Sequence, residues 1–124
     1  MRLPRKFSMN ERAEFARCRE QGKARPGRYL VLSVLRAEDL PHFKVGFITT
    51  KKVGKAHVRN LLRRRFRAIV QNHGERLKDG YYLVTVARWR APEASFQELE
   101  KDWLKQAKKL GVLRSEVKRE VTEE

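Results

Sequence analysis

From Leu40 to Gly74 this 124-residue chain contains no aspartate and no glutamate. Metal-dependent hydrolysis needs carboxylates clustered around the ion, so this stretch is not expected to house such a centre. Cysteine is nearly missing as well. Cys18 stands alone, which excludes an intrachain disulfide and suits a reducing compartment. His42, His57 and His73 are scattered, and no set of zinc ligands forms with so few candidates. No apolar run approaches the roughly 20 residues of a membrane span. The N-terminus, MRLPRKFSMNERAEF, lacks the apolar core of a signal peptide. A soluble, cytoplasmic protein without a membrane partner is expected. Neither an internal repeat nor a low-complexity tract is visible.

What the sequence has is base. Lys and Arg number 30 against 15 Asp and Glu, a net charge of +15. A chain this small and this charged repels itself and is most comfortable against a polyanion. The excess is lopsided. Met1 to Arg67 carries 19 bases and 5 acids, a net of +14, whereas Ala68 to Glu124 carries 11 bases and 10 acids. Eight of the bases lie between Lys51 and Arg67. Such local concentration is the footprint of a binding surface for nucleic acid.

The length allows one domain. Residues 1–7, basic and carrying Pro4, read as an extended entry arm. Ser8-Met9-Asn10-Glu11 has the form of a capping box, predicting a first helix from about Met9 to Gln21, stopped by Gly22. Arg25-Pro26-Gly27 signals a turn. Tyr29–Leu35, Lys44–Thr50 and Gly80–Ala87 read as strands by composition, the first with both faces covered. Between the last two lies a helix over about Ala56–Asn72. At about 100° per residue, Val58, Leu61, Leu62, Phe66 and Ile69 share one face and Asn60, Arg63, Arg64 and Arg67 the other. Arg65 falls among the apolar residues and must snorkel out or reach a cleft edge. Ser95-Phe96-Gln97-Glu98 is a second capping box. It opens a helix to Leu110, whose stripe of Phe96, Leu99, Trp103, Ala107 and Leu110 belongs in a core. Residues 112–124 are charged, mixed in sign and expected to fray.

The segment from Lys51 to Arg67 carries the chemistry. A strand ends in Lys51 and Lys52, Gly54 permits a tight turn, and a helix begins. Free N–H groups at a helix start favour anions, and Lys51, Lys52 and Lys55 ring that start, with Arg59 one turn on. The arginine face beyond can grip phosphate in bidentate fashion. Gly54-Lys55 invites comparison with the phosphate loop of ATPases. That motif needs Gly where Thr49 stands and Ser or Thr where Ala56 stands, so it fails. A second surface is conceivable where Phe15 of the first helix faces Tyr29, Val31 and Ser33. Aromatics beside bases grip single-stranded nucleic acid without reading its sequence, although Phe15 would serve a core equally well.

Taken in order, Lys51, Lys52, Val53, Gly54, Ala56, Arg59, Asn60, Leu62, Arg63 and Arg64 resemble the arginine-asparagine signature of the bacterial ribonuclease P protein subunit. The similarity runs from the basic arm and Phe15 to about Leu110. Three positions depart from that family's pattern. Leu61 replaces a residue that is often Arg, and it is expected on the apolar face. Arg19 and Ser33 stand where a second Phe and a Tyr are frequent.

The resemblance implies an α/β (α+β) two-layer sandwich with a central sheet of about four strands and three helices. The element order would be α-β-β-β-α-β-α, with a left-handed β-α-β crossover around the signature helix. The domain would span residues 1–111. It further implies a catalytic RNA partner bound by Lys51, Lys52, Lys55, Arg59, Asn60, Arg63, Arg64 and Arg67. A leader cleft would comprise Phe15, Arg19, Tyr29, Val31 and Ser33. The substrate would be precursor tRNA, cleaved by an RNA–protein holoenzyme that requires Mg2+. No side chain of the protein would be catalytic, and no metal or small-molecule cofactor would be bound by the protein alone. The competing reading is a structural RNA-binding protein, such as a ribosomal protein or assembly factor. A stand-alone nuclease lacks the acids, and no helix-turn-helix pattern supports a DNA-binding regulator.

Overall fold

The computed structural model describes residues 4–9 and 11–114. Three helices, α1 (Arg12–Gln21), α2 (Ala56–His73) and α3 (Phe96–Leu110), accompany four strands. These are β1 (Lys23–Pro26), β2 (Leu30–Arg36), β3 (Lys44–Ile48) and β4 (Tyr81–Ala87), in the chain order α1-β1-β2-β3-α2-β4-α3. The sheet order is β1-β2-β4-β3. β2 pairs with β1 and β4 antiparallel, while β3 and β4 run parallel. A parallel pair needs a crossover connection, and α2 is that crossover. No helix among the described residues is long and apolar enough to cross a membrane.

Alternation along the strands sorts the side chains onto two faces. Leu30, Leu32 and Val34 of β2, Val45 of β3, and Leu83, Thr85 and Ala87 of β4 face the main core. There they meet Leu62, Phe66, Ile69 and Val70 of α2, and Leu99, Trp103 and Ala107 of α3. The Ser95–Glu98 capping box forms as its sequence predicts, with Glu98 N–H donating to Ser95 Oγ at 3.1 Å. Gly111 ends α3 in the left-handed conformation at φ 77°. Trp103 is fully buried, and its Nε1–H donates to the equally buried Thr85 Oγ1 at 3.0 Å. The opposite face is covered only in part. There Met9, Cys18 and Val84 form a smaller cluster with Phe15, Leu35, Ile48, Tyr82 and Val86.

Four expectations are corrected. The first helix starts at Arg12 rather than Met9. Ser8 and Met9 are drawn alongside β3, where Met9 N–H donates to the Val45 carbonyl at 2.8 Å and the Met9 side chain is buried. The cap passes to Glu11, whose N–H donates to Glu14 Oε1 at 3.3 Å. Arg25 and Pro26, read as a turn, belong to the exposed edge strand β1. Pro tolerates an edge because its missing donor is not needed there. The arm is not extended throughout. Arg5–Phe7 is a short 3-10 turn, and the Phe7 ring stacks on Phe43 with centroids 4.6 Å apart. Nor does fraying begin at 112. Val112 is fully buried, and Leu113 pairs with Leu77. The remainder of the expected tail lies outside the described residues.

The Trp103–Thr85 contact yields a direct test. Thr85→Val keeps the volume but leaves a buried indole N–H without a partner, which costs about 1–3 kcal/mol. Thermal unfolding should move down by several degrees, since ~1 kcal/mol shifts a domain of this size by roughly 4 °C or more. An unchanged melting temperature would mean that this bond contributes nothing.

Candidate nucleic-acid interface

β3 ends at Ile48, and the chain turns at once into a short 3-10 turn, Lys51–Val53. Thr50 caps it, its Oγ1 accepting the Lys52 N–H at 3.3 Å. Val53 is buried and anchors the turn, while Lys51 and Lys52 are exposed. Gly54 has φ 136°, a region that side-chain-bearing residues avoid, and delivers the chain to α2 with exposed Lys55 as N-cap. The spacing of the signature is thus what this turn requires.

Along α2 the bases divide by environment. Arg64 and Asn60 are exposed. Arg63 is half-buried and donates to Thr49 Oγ1 and to Asn60 Oδ1. Arg67 lies with its guanidinium 5.8 Å from the centroid of the Phe47 ring. Both arginines therefore lean over the end of β3, where aromatic and hydroxyl groups fix their direction. Arg59 is also half-buried, and its Nε has no hydrogen-bond partner among the described residues. Arg65 is half-buried and donates to the Ala94 carbonyl at 3.1 Å. Leu61 departs from expectation. It is 42% exposed, because the buried stripe is centred on Leu62, Phe66, Ile69 and Val70 and leaves position 61 outside.

The second surface is built by α1 on the partly covered sheet face. Register places Ala24, Ser33, Val84 and Gly46 in one row across the four strands. α1 crosses along this row. The Phe15 ring lies so close to Gly46 that an added Cβ would sit 2.4 Å from Cε1. Lys44 Nζ and Glu14 Oε2 pair at 3.3 Å and tie the helix to β3. The next row, Pro26, Val31, Val86 and Ile48, lies beside the helix. Phe15, Val31, Ile48 and Val86 are all partly exposed, so an apolar strip runs past α1 as the floor of a shallow trough. Arg19, one turn after Phe15, is exposed.

Tyr29 does not join this group. It precedes β2, packs against the main core, and donates its N–H to Asp102 Oδ2 at 2.8 Å. Phe15, Val31 and Ser33 are brought onto one face, and Tyr29 is not. The sequence reading also missed what closes the trough. Because β3 and β4 are parallel, Thr50–Lys52 and Arg88–Trp89 emerge at the same end. With Val86 they line a groove of about 620 Å³. Alternation in GYYLVTVA put Val86 on the Val84 face and could have found it. Trp89 carried a signal too, as an aromatic flanked by two arginines in a turn.

These features define a small basic α+β protein whose positive groups border one apolar trough. A family model described as Ribonuclease P matches residues 3–111. The chain is 34% identical to the ribonuclease P protein component of Syntrophomonas wolfei over 110 residues, covering 89% of this chain and 92% of that one. It is 32% identical to the corresponding protein of Symbiobacterium thermophilum over 114 residues, covering 92% and 99%. The Staphylococcus aureus RNase P protein superposes with a TM-score of 0.81 at 21% identity, covering 87% of this chain and 98% of that one. The Thermotoga maritima protein gives 0.75 at 23%, covering 82% and 96%. The chain belongs to the ribonuclease P protein family. It is thereby a protein component of a ribonucleoprotein endoribonuclease of tRNA processing.

Cys18, the buried residue of α1, reports on how firmly that helix is seated. Burial pushes its thiol up to about 11, opposed by a backbone hydrogen bond at Val84. Near pH 8, where an ordinary thiol of pKa about 8.5 is partly ionised, alkylation of the native protein should be far slower than of the unfolded chain. The same shift predicts stability that is full below the unfolded pKa of 9.0 and lost as pH rises towards about 11. Equal alkylation rates with and without denaturant would show α1 to be loosely docked.

Proposed function

We propose that the chain binds the catalytic RNA of ribonuclease P through the Lys51–Arg67 segment and the 5′ leader of precursor tRNA through the trough beside α1. The observation that carries this reading is the shape of the trough. Val86 of the apolar strip, which clusters with half-buried Phe15, shares a groove with Lys51 and Lys52, and these also precede the basic helix. A single strand can lay its bases on the strip while its phosphates meet the bases at the rim. Arg64, Asn60 and Lys55 supply the RNA-facing contacts on the outer side of α2, with Arg63 and Arg67 pre-oriented along β3.

In this reading the protein positions and the RNA cleaves. Among the described residues no three His, Cys, Asp or Glu side chains gather where they could hold a metal ion. The Mg2+ requirement belongs, in this reading, to the RNA–protein holoenzyme, and no step is routed through a side chain of this chain. The compartment is the cytoplasm, where a lone buried thiol is at no risk of mispairing.

Two measurements test the two surfaces separately. Arg64→Ala removes an exposed base, so folding should be untouched while the salt dependence of RNA binding falls by about 0.7–0.9 in log–log slope. Arg59→Ala should do the same, with thermal unfolding as its control because Arg59 is half-buried. Unchanged slopes for both would remove α2 from the RNA contact. For the trough, Phe15→Ala should weaken precursor tRNA more than mature tRNA. A stacked base is worth about 1–3 kcal/mol, or roughly 5- to 150-fold in affinity. Equal losses for the two tRNAs, or a large fall in melting temperature, would make Phe15 a core residue.

A further inference from the structure

We propose that Trp89 is a stacking platform for a base of single-stranded RNA, placed beyond the trough at the shared end of β3 and β4. This deepens the leader-binding reading and rests on it. Trp89 is 62% exposed, the only Phe, Tyr or Trp of the described residues that is exposed. Leaving a large aromatic in water forgoes its burial energy, and tryptophan, with an apolar body and a polar N–H, suits a contact surface. Trp103, the other tryptophan, is wholly buried.

The surroundings point to a nucleic acid. Trp89 lines the groove with Thr50, Lys51, Lys52, Val86, Ala87 and Arg88, and no acid is among them. The Arg90 guanidinium lies 5.7 Å from the indole centroid. Arg90 Nε also lies 3.7 Å from Glu93 Oε1, an exposed ion pair. The base of the turn is fixed too. Arg88 N–H donates to the Tyr29 carbonyl at 2.9 Å, and its guanidinium to the Gly27 carbonyl at 2.8 Å. An exposed ring on a turn tied down at Arg88, beside cations, offers the geometry of base stacking with phosphate contact. Val86 belongs both to this groove and to the cluster around Phe15. Val84, opposite Gly46 and hence near Phe15, lies four residues from Arg88, about 13 Å at 3.3 Å per residue. One single strand can therefore touch both aromatics. Trp89 also supplies an aromatic at one end of a surface where Arg19 and Ser33 supply none.

Fluorescence and affinity test this together. Titrating the full-length protein with a single-stranded RNA of about ten nucleotides should quench the emission of exposed tryptophan. A linear polyphosphate, which offers charge without bases, should not. Trp89→Phe should abolish the quenching, since only buried Trp103 remains, yet retain most of the affinity for precursor tRNA. Trp89→Ala should lose about fivefold or more of that affinity with mature tRNA and thermal unfolding unchanged. Quenching by polyphosphate equal to that by RNA, or wild-type precursor affinity in Trp89→Ala, would overturn the proposal. If Phe15→Ala is selective for precursor and Trp89→Ala is silent, the leader reading stands and the platform falls. If short RNA quenches Trp89 and both alanine variants weaken precursor and mature tRNA equally, the platform stands as an RNA contact and the leader reading falls.

Discussion

The parallel pairing of β3 with β4 is the constraint on which the rest depends. Two parallel neighbours cannot be joined by a tight turn, so the chain must travel back along the sheet, and α2 makes that journey. The helix consequently starts at the end of β3, with the Lys51–Val53 turn and Gly54 setting its first residue. The same pairing sends the end of β4 to the same place. Two segments far apart in sequence, Thr50–Lys52 and Arg88–Trp89, become walls of one groove. Had β4 run the other way, its basic end would lie at the opposite edge.

Helices on the two faces then do unequal work. α2 and α3 bury a full core, fixed at its centre by the Trp103–Thr85 hydrogen bond. α1 is a ten-residue helix that buries a single residue, Cys18, completely and covers one row of the other face. The absence of a longer helix is what leaves the row of Val31, Val86 and Ile48 accessible. Gly46 contributes by letting the Phe15 ring lie on the backbone, so that the trough has an aromatic wall and a low floor. Cover for the sheet is given up where a ligand can take its place.

Much of this could be read in the residues. α2 and α3 were legible to within about a residue because period, cap and stop signals agreed. The three main strands were visible as β-branched and aromatic runs. What escaped was decided by tertiary contacts. Ser8 and Met9 look like a helix start but pair with Val45, and a backbone partner in space outweighs a local cap. β1 was hidden by Arg25-Pro26, which reads as a turn unless the neighbouring β2 is known. The signature residues were found by their order alone. Tyr29 was misplaced because alternation was extended one residue before the start of β2, where Asp102 claims its backbone. Trp89 was overlooked because exposure is not written in a sequence.

The charge pattern completes the account. A net of +14 in the first 67 residues is joined by no acid anywhere between Leu40 and Gly74, and self-repulsion of this kind is relieved by a polyanion. Counterion release then supplies affinity, and its loss at high salt is the mark of such binding. The most direct test is reconstitution. Purified, RNA-free protein is added to a bacterial ribonuclease P RNA at low Mg2+ and scored for removal of the 5′ leader from precursor tRNA. The account predicts cleavage by the mixture well above that of the RNA alone, and none by the protein alone. An RNA whose cleavage is unaffected by the protein, or leader removal by the protein without RNA, would contradict it.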